Sequence, residues 1–365
     1  MEKSIPRVLA YYLPQFYAIP ENDRAHGAGF TEWDKVRQAR PLFEGHDQPR
    51  IPHKSLGYYS LEDVETLRKQ AKIAGSHGID GLVFYHYWFH GKKLLERPIS
   101  LLSENPDIEI PFAMCWANES WTKRWDGGNA EMIVEQRYSL RDAAAFIEDL
   151  IPLFHDSRYI RVSGRPVLFV YRAAQIPDLS DVVKCWRKLV QDSGLSSPFL
   201  VAVDTDEPTI ASDAGFDALV ERPLYRFTQE LEELRTEKLS ISEEHQPPEV
   251  FDYSDVANLF QQNRRQKSRL PLIPSVVVSW DVSPRHSRAG LILTNRDPRE
   301  FSAWLQNAME RSAESFPEEC RLVVVNAWNE WAEGAYLEPD SLHEFAFLEA
   351  VRDAKQRFHN AFGQK

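Results

Sequence analysis

Two glutamates near the end of the sequence, Glu330 and Glu333, have the spacing that acid–base chemistry needs. They follow an apolar stretch, where a turn-like backbone places residues i and i+3 on one side. The adjacent Trp328 and Trp331 would remove water from one carboxyl group and separate the two pKa values. One glutamate would then act as an acid while the other stays ionised. The alternative is an acidic loop or a first helical turn, where Glu is common.

Further polar and aromatic residues recur where other apolar stretches end. Aromatic rings stack on the C–H faces of sugars, and paired carboxylates cleave glycosidic bonds. The alternative is that the rings fill the mouth of a barrel. For Glu32 we prefer a structural bond to a loop backbone. The expected sugar-binding residues are Tyr12, Gln15, Trp33, Tyr85, His86, Trp88, Trp116, Asn118, Glu119, Trp125, Asp126, Glu221, Trp280, Asp281, Asn329 and Trp331.

Other catalytic chemistries find little support. His86 and His90 have i,i+4 spacing but stand at a strand end, so we expect no metal site there. The three cysteines form no CxxC pair, which argues against a disulfide framework and a zinc site, and Cys115 reads as a buried strand thiol. The GxSxG, GxxxxGK[ST] and post-strand GxGxxG patterns are absent from the sequence. We therefore expect neither a metal nor a cofactor.

Short, nearly continuous apolar stretches predict strands that are buried on both faces, as in a parallel sheet. Helix-like stretches alternate with them, and Ser60 with its acidic first turn begins the clearest one. The predicted strands are Arg7–Gln15, Gly81–Trp88, Pro111–Glu119, Pro166–Arg172, Pro198–Asp204, Ala218–Pro223, Leu272–Asp281 and Arg321–Trp331. The predicted helices are Ser60–His77, Leu140–His155, Asp178–Asp192, Ser254–Lys267, Pro298–Ser315 and His343–Phe358, with Lys92–Ser103 and Glu207–Ala214 as shorter segments.

This alternation predicts an α/β fold, a single (β/α)8 TIM barrel with long βα loops, over residues 1–365. Such a barrel takes about 250 residues, so the remainder must lie in extended loops. The longest are Phe16–Tyr59, Asn118–Ser139 and Leu224–Tyr253. Each follows a strand, so each should lie on the face where barrel active sites form.

The charge balance limits the partners. Lys and Arg number 43 against 55 Asp and Glu, a net charge of −12 at pH 7. Such a chain lacks the positive electrostatic field that attracts nucleic acids and anionic membranes. Met1–Arg7 carries no apolar core like that of a signal peptide, and no apolar run nears the ~20 residues of a membrane span. We expect a cytoplasmic protein, or a periplasmic or secreted one if an upstream segment was removed.

Several long motifs, most of them containing Trp, run from about residue 7 to residue 340. They are YLPQF at 12–16, GFTEW at 29–33, FYHYWF at 84–89, CWANE at 115–119, WDG at 125–127, WD at 280–281 with SPR at 283–285, and WNEWAEG at 328–334. With these motifs the chain resembles the WbsX-type proteins, which are similar to glycoside hydrolase family 99 and are associated with bacterial O-antigen and other polysaccharide loci.

The resemblance implies a (β/α)8 barrel acting on oligo- or polysaccharide, related to the endo-α-mannosidases and endomannanases of family 99. In those retaining enzymes an Asn-Glu-Trp-His-Glu-Gly motif carries both catalytic glutamates. Matching it makes Glu330 the base that deprotonates the sugar 2-hydroxyl and Glu333 the acid that protonates the leaving oxygen. The 2-oxygen then forms a 1,2-anhydro intermediate, which requires manno- or rhamno-configured sugars. This departs from the usual nucleophilic carboxylate.

The His of that motif is Ala332 here, which removes a polar group between the two glutamates. The resemblance therefore supports the fold more strongly than the activity. Two other functions stay open. The first is a glycosyltransferase-like enzyme of polysaccharide biosynthesis, with Arg222, Arg285 and Arg288 holding a diphosphate donor. The second is a glycan-binding barrel without catalysis.

Overall fold

The structure is a computed structural model. It describes residues 4–123, 131–203, 208–224, 248–262, 269–286 and 290–362.

Eight parallel strand positions form the expected barrel, and the prediction of the fold is confirmed. Counted in chain order, each pairs with the next, and the eighth pairs with the first. They are Arg7–Tyr12, Gly81–Phe89, Phe112–Trp116, Arg165–Val170, Phe199–Val203, Ala218–Val220, the broken seventh position Leu272–Ile273 and Ser275–Val277, and Leu322–Asn326.

The seventh position is where the sheet closes. Leu272–Ile273 pairs with the sixth strand, and Ser275–Val277 pairs with the eighth. Pro274 separates the two pieces, and a proline has no N–H to offer a sheet. Its carbonyl oxygen still accepts a hydrogen bond from the amide of Val324 at 3.0 Å. The two ends of the sheet thus meet within a six-residue segment, and the sheet closes nearly into a barrel.

Continuous apolar sequence explains the buried strands, because the inner face packs in the barrel and the outer face packs under helices. Helix boundaries follow their capping residues. Ser139 accepts a hydrogen bond from the amide of Asp142, and Asp297 accepts one from Arg299. The helices are Pro20–His26, Glu32–Gln38, Val64–Ser76, Arg97–Glu104, Leu140–His155, Leu179–Asp192, Pro208–Ala214, Tyr253–Gln262, Ser283–His286, Pro298–Ser315 and Ala346–Phe362.

Most predicted helices are confirmed, two of them to the residue. The helix predicted at 254–267 begins at Tyr253, and its described part ends at Gln262. The segment Lys92–Ser103 differs, because Lys92–Leu94 pairs antiparallel with the second barrel strand and the helix begins only at Arg97. Short 3-10 turns cover Ala173–Gln175, Glu318–Cys320 and Trp331–Glu333.

The long loops carry structure of their own. The first contains the two short helices Pro20–His26 and Glu32–Gln38, and the second contains the hairpin of Trp121–Thr122 with Met132–Val134. At the end of the third, Glu249–Asp252 pairs in parallel with Leu291–Thr294. The remaining short strands are Arg161–Val162, Asn329–Glu330 and Ala335–Tyr336.

None of the helices in the described part of the chain combines the length and the apolar character needed to cross a membrane.

Candidate active site

A tight hairpin after the eighth strand presents Glu330 and Glu333. Asn329–Glu330 pairs antiparallel with Ala335–Tyr336, and the 3-10 turn Trp331–Glu333 connects them. Gly334 ends this turn at φ 65°, a conformation that side chains disfavour. A Cβ there would lie 2.7 Å from the Arg50 guanidinium and 2.9 Å from the backbone nitrogen of Asp281. Glycine is therefore required by both the backbone angle and the available space.

Both glutamates line a cavity of about 290 Å³ at the carboxyl ends of the barrel strands. Of the expected site residues, the cavity also brings together Gln15, Tyr85, Glu119, Glu221 and Trp280. Further lining residues are Tyr11, Leu13, Asn22, His26, Phe30, Glu32, Tyr87, Ala117, Trp121, Thr122, Ile133, Tyr171, Val203, Arg222, Pro223, Ser275, Val282, Arg285 and Asn326.

Arg285 links the two glutamates to a third carboxylate. Its Nη1 donates to Oε1 of Glu333 at 2.8 Å, and its Nη2 donates to Oε2 of Glu32 at 3.1 Å. The same Nη2 lies 3.6 Å from Oε2 of Glu330. All four side chains are at most 16% exposed. Because water screens these charges poorly, each strongly affects the others.

Glu330 occupies the least favourable place for a charge. Its Oε2 is buried and accepts no hydrogen bond from a described residue. Burial raises the pKa of Glu330 well above its ordinary value of 4.5, and the negative charges of Glu333 and Glu32 raise it further. The positive charges of Arg285 and Arg222 lower this pKa only in part. The surroundings of Glu330 therefore favour its protonated form, while Glu333 faces a permanent cation.

The other glutamates of the cavity have arginine partners beside them. Nε of Arg172 donates to Oε1 of Glu119 at 2.6 Å. Arg311 binds Glu221, whose Oε2 also accepts a hydrogen bond from the amide of Ser275 at 3.0 Å. The first pair joins the ends of the third and fourth strands, and the contacts of Glu221 join the end of the sixth strand to the seventh position and to the helix Pro298–Ser315. Structural contacts therefore account for both carboxylates.

The strand alternation turns several expected sugar contacts away from the cavity. Tyr12 points outward, and its hydroxyl donates to Gln70 at 2.7 Å. Outward-facing His86 and Trp88 pack with Phe146 under the helix Leu140–His155, and Trp116 stacks on the same ring. Successive side chains of a strand point to opposite faces. The expectation that Tyr12, His86, Trp88 and Trp116 face the sugar is therefore corrected.

Another group of expected contacts holds the loops instead. Trp33 donates to the carbonyl of Tyr59 at 2.7 Å, and Asn118 donates to the carbonyl of Arg172 at 3.0 Å. Asn329 bonds both the amide and the carbonyl of Leu13, at 2.7 and 2.9 Å. The polar groups of these three side chains bind backbone atoms, which corrects their expected role as sugar contacts.

Asp281 and Trp331 complete the corrections. Asp281 is fully buried and accepts hydrogen bonds from Gln48 at 2.6 Å and from the amide of Ser283 at 2.9 Å, with His46 Nε2 2.9 Å away. Trp331 donates to Glu338 at 2.7 Å and stacks on Tyr336 with ring centroids 3.7 Å apart. Both support the turn Trp331–Glu333 from behind. Trp125 and Asp126, also expected to bind sugar, lie outside the described residues.

Sequence reasoning missed inward-facing neighbours of the residues it chose. Tyr11 rather than Tyr12 enters the barrel, where its ring stacks on Tyr85 at 5.3 Å. Tyr87 and Trp121 form a second aromatic wall, with centroids 5.0 Å apart. Glu32, assigned to a loop bond, lines the cavity. Alternation along each strand would have separated Tyr11 from Tyr12 and placed Tyr85 and Tyr87 together on the same face of their strand.

The described residues hold no group of three or more His, Cys, Asp or Glu side chains able to bind a metal ion.

Comparison with known sequences finds relatives over nearly the whole chain. The family model described as "Glycosyltransferase WbsX" matches residues 8–351. Two curated relatives from strains of Xanthomonas campestris pathovar campestris, each named "Uncharacterized protein WxcX", are 39% and 38% identical over 358 residues. The match covers 98% of this chain and 51% of each relative, so the chain spans about half the length of these proteins.

Solved structures share the fold at low identity. A "glycoside hydrolase-like protein" superposes with a TM-score of 0.62 at 13% identity, covering 97% of this chain and 95% of that one. A family 99 endo-α-mannosidase from Bacteroides thetaiotaomicron, in complex with bis-tris propane, gives 0.58 at 15% identity, with 97% and 98% covered. A family 5 protein from Streptomyces cattleya in complex with GlcNAc gives 0.50 at 10%, with 98% and 81% covered.

Proposed function

The chain belongs to the family described as glycosyltransferase WbsX, and we propose that it is a retaining, endo-acting glycoside hydrolase of manno- or rhamno-configured polysaccharide. The observation that carries this proposal is the glutamate pair: Glu330 and Glu333 line one cavity and face one guanidinium. The fold shared with a family 99 endo-α-mannosidase supports the same class of reaction.

The ionisation of the pair fits acid–base catalysis. The proposed reaction needs one protonated and one ionised carboxyl group at its start. Burial favours a proton on Glu330, and the guanidinium of Arg285 lies 2.8 Å from Glu333. The proposed reaction uses one proton on this pair. The charge of Glu333 acts directly on Glu330, so the proton belongs to the pair rather than to one residue.

The proposed steps run through the substrate's own 2-oxygen. Glu330, ionised in the substrate complex, takes the proton of the 2-hydroxyl while the 2-oxygen attacks the anomeric carbon. Glu333 gives its proton to the departing glycosidic oxygen, leaving a 1,2-anhydro sugar. A water then attacks the anomeric carbon and gives its proton to Glu333, and Glu330 returns its proton to the 2-oxygen. Two inversions give net retention, and the intramolecular attack gains a high effective concentration.

The stereochemistry of the proposed mechanism limits the substrate class. The 2-oxygen reaches the anomeric carbon only when it is trans to the leaving group, as in α-mannosides and α-rhamnosides. Trp121 and Trp280 line the cavity and offer flat apolar faces to sugar rings. Gln15 and Asn326 supply amide groups for hydroxyls.

Sugar transfer is the second candidate, because the family description names it. Arg222 and Arg285 line the cavity and would face a diphosphate donor, whereas Arg288 lies outside the described residues. Five glutamates line the same cavity, however: Glu32, Glu119, Glu221, Glu330 and Glu333. Arg285 already binds Glu32 and Glu333, so a diphosphate would have to compete with these carboxylates for it. This competition favours a neutral saccharide.

The deciding experiment incubates the protein with manno- and rhamno-configured polysaccharides and analyses the products by mass spectrometry, with Glu333→Gln in parallel. Oligosaccharides released by the wild type alone support hydrolysis and identify the sugar. If nothing is released, the hydrolase proposal fails, and calorimetric titration with nucleotide sugars follows. Heat on titration then favours transfer, while saccharide binding that survives loss of both glutamates favours a binding barrel without catalysis.

A further inference from the structure

Arg285 stands between three carboxylates that come from two distant parts of the chain. Glu330 and Glu333 belong to the turn after the eighth strand, whereas Glu32 opens the helix Glu32–Gln38 in the first long loop. Arg285 itself lies on the short helix Ser283–His286. The amide of Glu32 donates to the carbonyl of Gln15 at 3.1 Å, which ties this helix to the end of the first strand.

The distances around Arg285 are unequal. Nη1 contacts Glu333 at 2.8 Å, while Nη2 contacts Glu32 at 3.1 Å and stands 3.6 Å from Glu330. An arginine keeps its charge at every relevant pH, so it favours the ionised form of the carboxylate it touches most closely. A shift of Nη2 by about 0.7 Å would bring Glu330 within hydrogen-bond distance, near 2.9 Å.

We propose that Arg285, anchored by Glu32, is the positioning residue that decides which glutamate of the pair carries the proton. This inference rests on the function proposed above. In the structure Arg285 contacts Glu333 more closely than Glu330, and the surroundings of Glu330 favour its protonated form. The proposed chemistry begins with the reverse distribution. When the guanidinium moves from Glu333 toward Glu330 while it stays bound to Glu32, the favoured position of the proton changes from Glu330 to Glu333.

Every charged or titratable group that acts on Glu330 bears on this inference. Glu333 lies on the same turn, Arg285 on the helix Ser283–His286 and Glu32 on the first loop. Arg222 comes from the end of the sixth strand, and Tyr85 and Tyr87 from the second. Both tyrosines have pKa values raised by burial, so they stay neutral when Glu330 titrates. The charges that compete are therefore Glu32 and Glu333 against Arg285 and Arg222.

A titration that needs no substrate tests the inference. The protein is prepared with ¹³C-labelled glutamate carboxyl groups, and the resonance missing from Glu330→Gln identifies Glu330. In Glu32→Gln the midpoint of this resonance moves to lower pH, because a like charge is lost and Arg285 is released toward Glu330. In Arg285→Gln it moves to higher pH, because the attracting cation is lost. Arg285→Lys keeps the positive charge, so its Glu330 midpoint lies between those of Arg285→Gln and the wild type.

A matched control removes a carboxylate from the opposite end of the barrel. Asp80 precedes the second strand and pairs with Lys355, so Asp80→Asn leaves the Glu330 midpoint unchanged. Circular dichroism verifies that each variant is folded. Midpoints that stay unchanged in both Glu32→Gln and Arg285→Gln, or that move in the same direction, overturn the inference.

The pH dependence of turnover separates this inference from the proposed function. With an active substrate, the limb of kcat that belongs to Glu330 moves in the same two directions, and Arg285→Gln lowers kcat by about 10²-fold through misplacement of the pair. Turnover with unshifted midpoints contradicts the inference and leaves the hydrolase function standing. Shifted midpoints without turnover on any polysaccharide support the coupling and contradict the hydrolase function.

Discussion

Nη1 of Arg50 donates a hydrogen bond to the carbonyl oxygen of Gly334 at 2.7 Å, joining the first long loop to the turn that carries both glutamates. The same Nη1 donates to Ser279 at 3.2 Å, and its side chain is 3% exposed. A buried cation here therefore fixes the end of the turn at Gly334, where no side chain fits.

Replacing Gly334 by alanine should damage both stability and turnover. The added Cβ would meet Arg50 and Asp281 below contact distance at a positive φ. Strain of this kind costs on the order of 1–3 kcal/mol. Urea unfolding measures the stability loss, and product release measures the rate. Gly164→Ala is the control, because it shares a positive φ (74°) but has no atom within 4 Å of the new Cβ. Equal stability losses in the two variants would contradict the crowding argument.

Removing either glutamate of the proposed catalytic pair should abolish most turnover without unfolding the protein. Glu330→Gln and Glu333→Gln each lose an acid–base group, which typically contributes about 10²–10⁴-fold. The exposed Glu104→Gln, on the helix Arg97–Glu104, provides the control. Product release by mass spectrometry gives the rates. Wild-type rates in both glutamate variants would eliminate the pair from the mechanism.

Mutations of the cavity-lining and the outward-facing tryptophans should have different effects. Trp121 lines the cavity, so Trp121→Ala should raise KM for oligosaccharide and leave thermal stability nearly unchanged. Trp116 is 1% exposed and stacks on Phe146, so Trp116→Ala should cost about 3–5 kcal/mol of folding free energy. Thermal unfolding and steady-state kinetics on both variants measure the contrast. Identical behaviour of the two would refute the assignment of faces.

Glu338 should make stability fall as the pH rises from about 4.5 to about 7. It is 2% exposed and accepts hydrogen bonds from Tyr59, Gln70 and Trp331, yet burial raises its pKa from 4.5 to about 7. A group with a raised pKa binds its proton more tightly when folded, so its contribution is complete below pH 4.5 and is lost by about pH 7. The loss is roughly 3 kcal/mol, at about 1.4 kcal/mol per pKa unit.

Glu338→Gln should flatten this dependence, since the amide does not titrate. Denaturant unfolding of wild type and variant at several pH values gives the difference, which removes the contribution of Glu330 that both proteins share. Parallel curves for the two proteins would show that Glu338 does not titrate in this range.

The barrel was predictable because its strands are read from local sequence. Continuous apolar runs with helical stretches between them leave few other topologies, and the eighth strand differs from its predicted core only at the ends. The helix Leu140–His155 was predictable because Ser139 caps it and its apolar residues keep a helical period.

The site was predictable only in part, because a residue's type does not reveal which way its side chain faces. Tyr11 and Tyr12 are identical in type, but one lines the cavity and the other lies against a helix. Alternation within a strand carries that information, whereas in loops it depends on distant contacts. Asn329 binds Leu13 and Asp281 binds Gln48 through hydrogen bonds that span 316 and 233 residues. No local sequence pattern encodes contacts over such distances.

The buried Asp281 also dictates when a nascent chain gains this site. Its carboxylate holds Gln48 and lies beside His46, and its amide donates to the carbonyl of Glu333 at 2.7 Å. Contacts between such distant segments form late, since the intervening chain must first be ordered. During synthesis, residues 46–48 leave the ribosome long before either partner exists. The contacts of residues 46–48 with Asp281 therefore form only after the seventh strand has been synthesised, and the glutamate pair meets this supporting loop only when the last barrel strand has emerged.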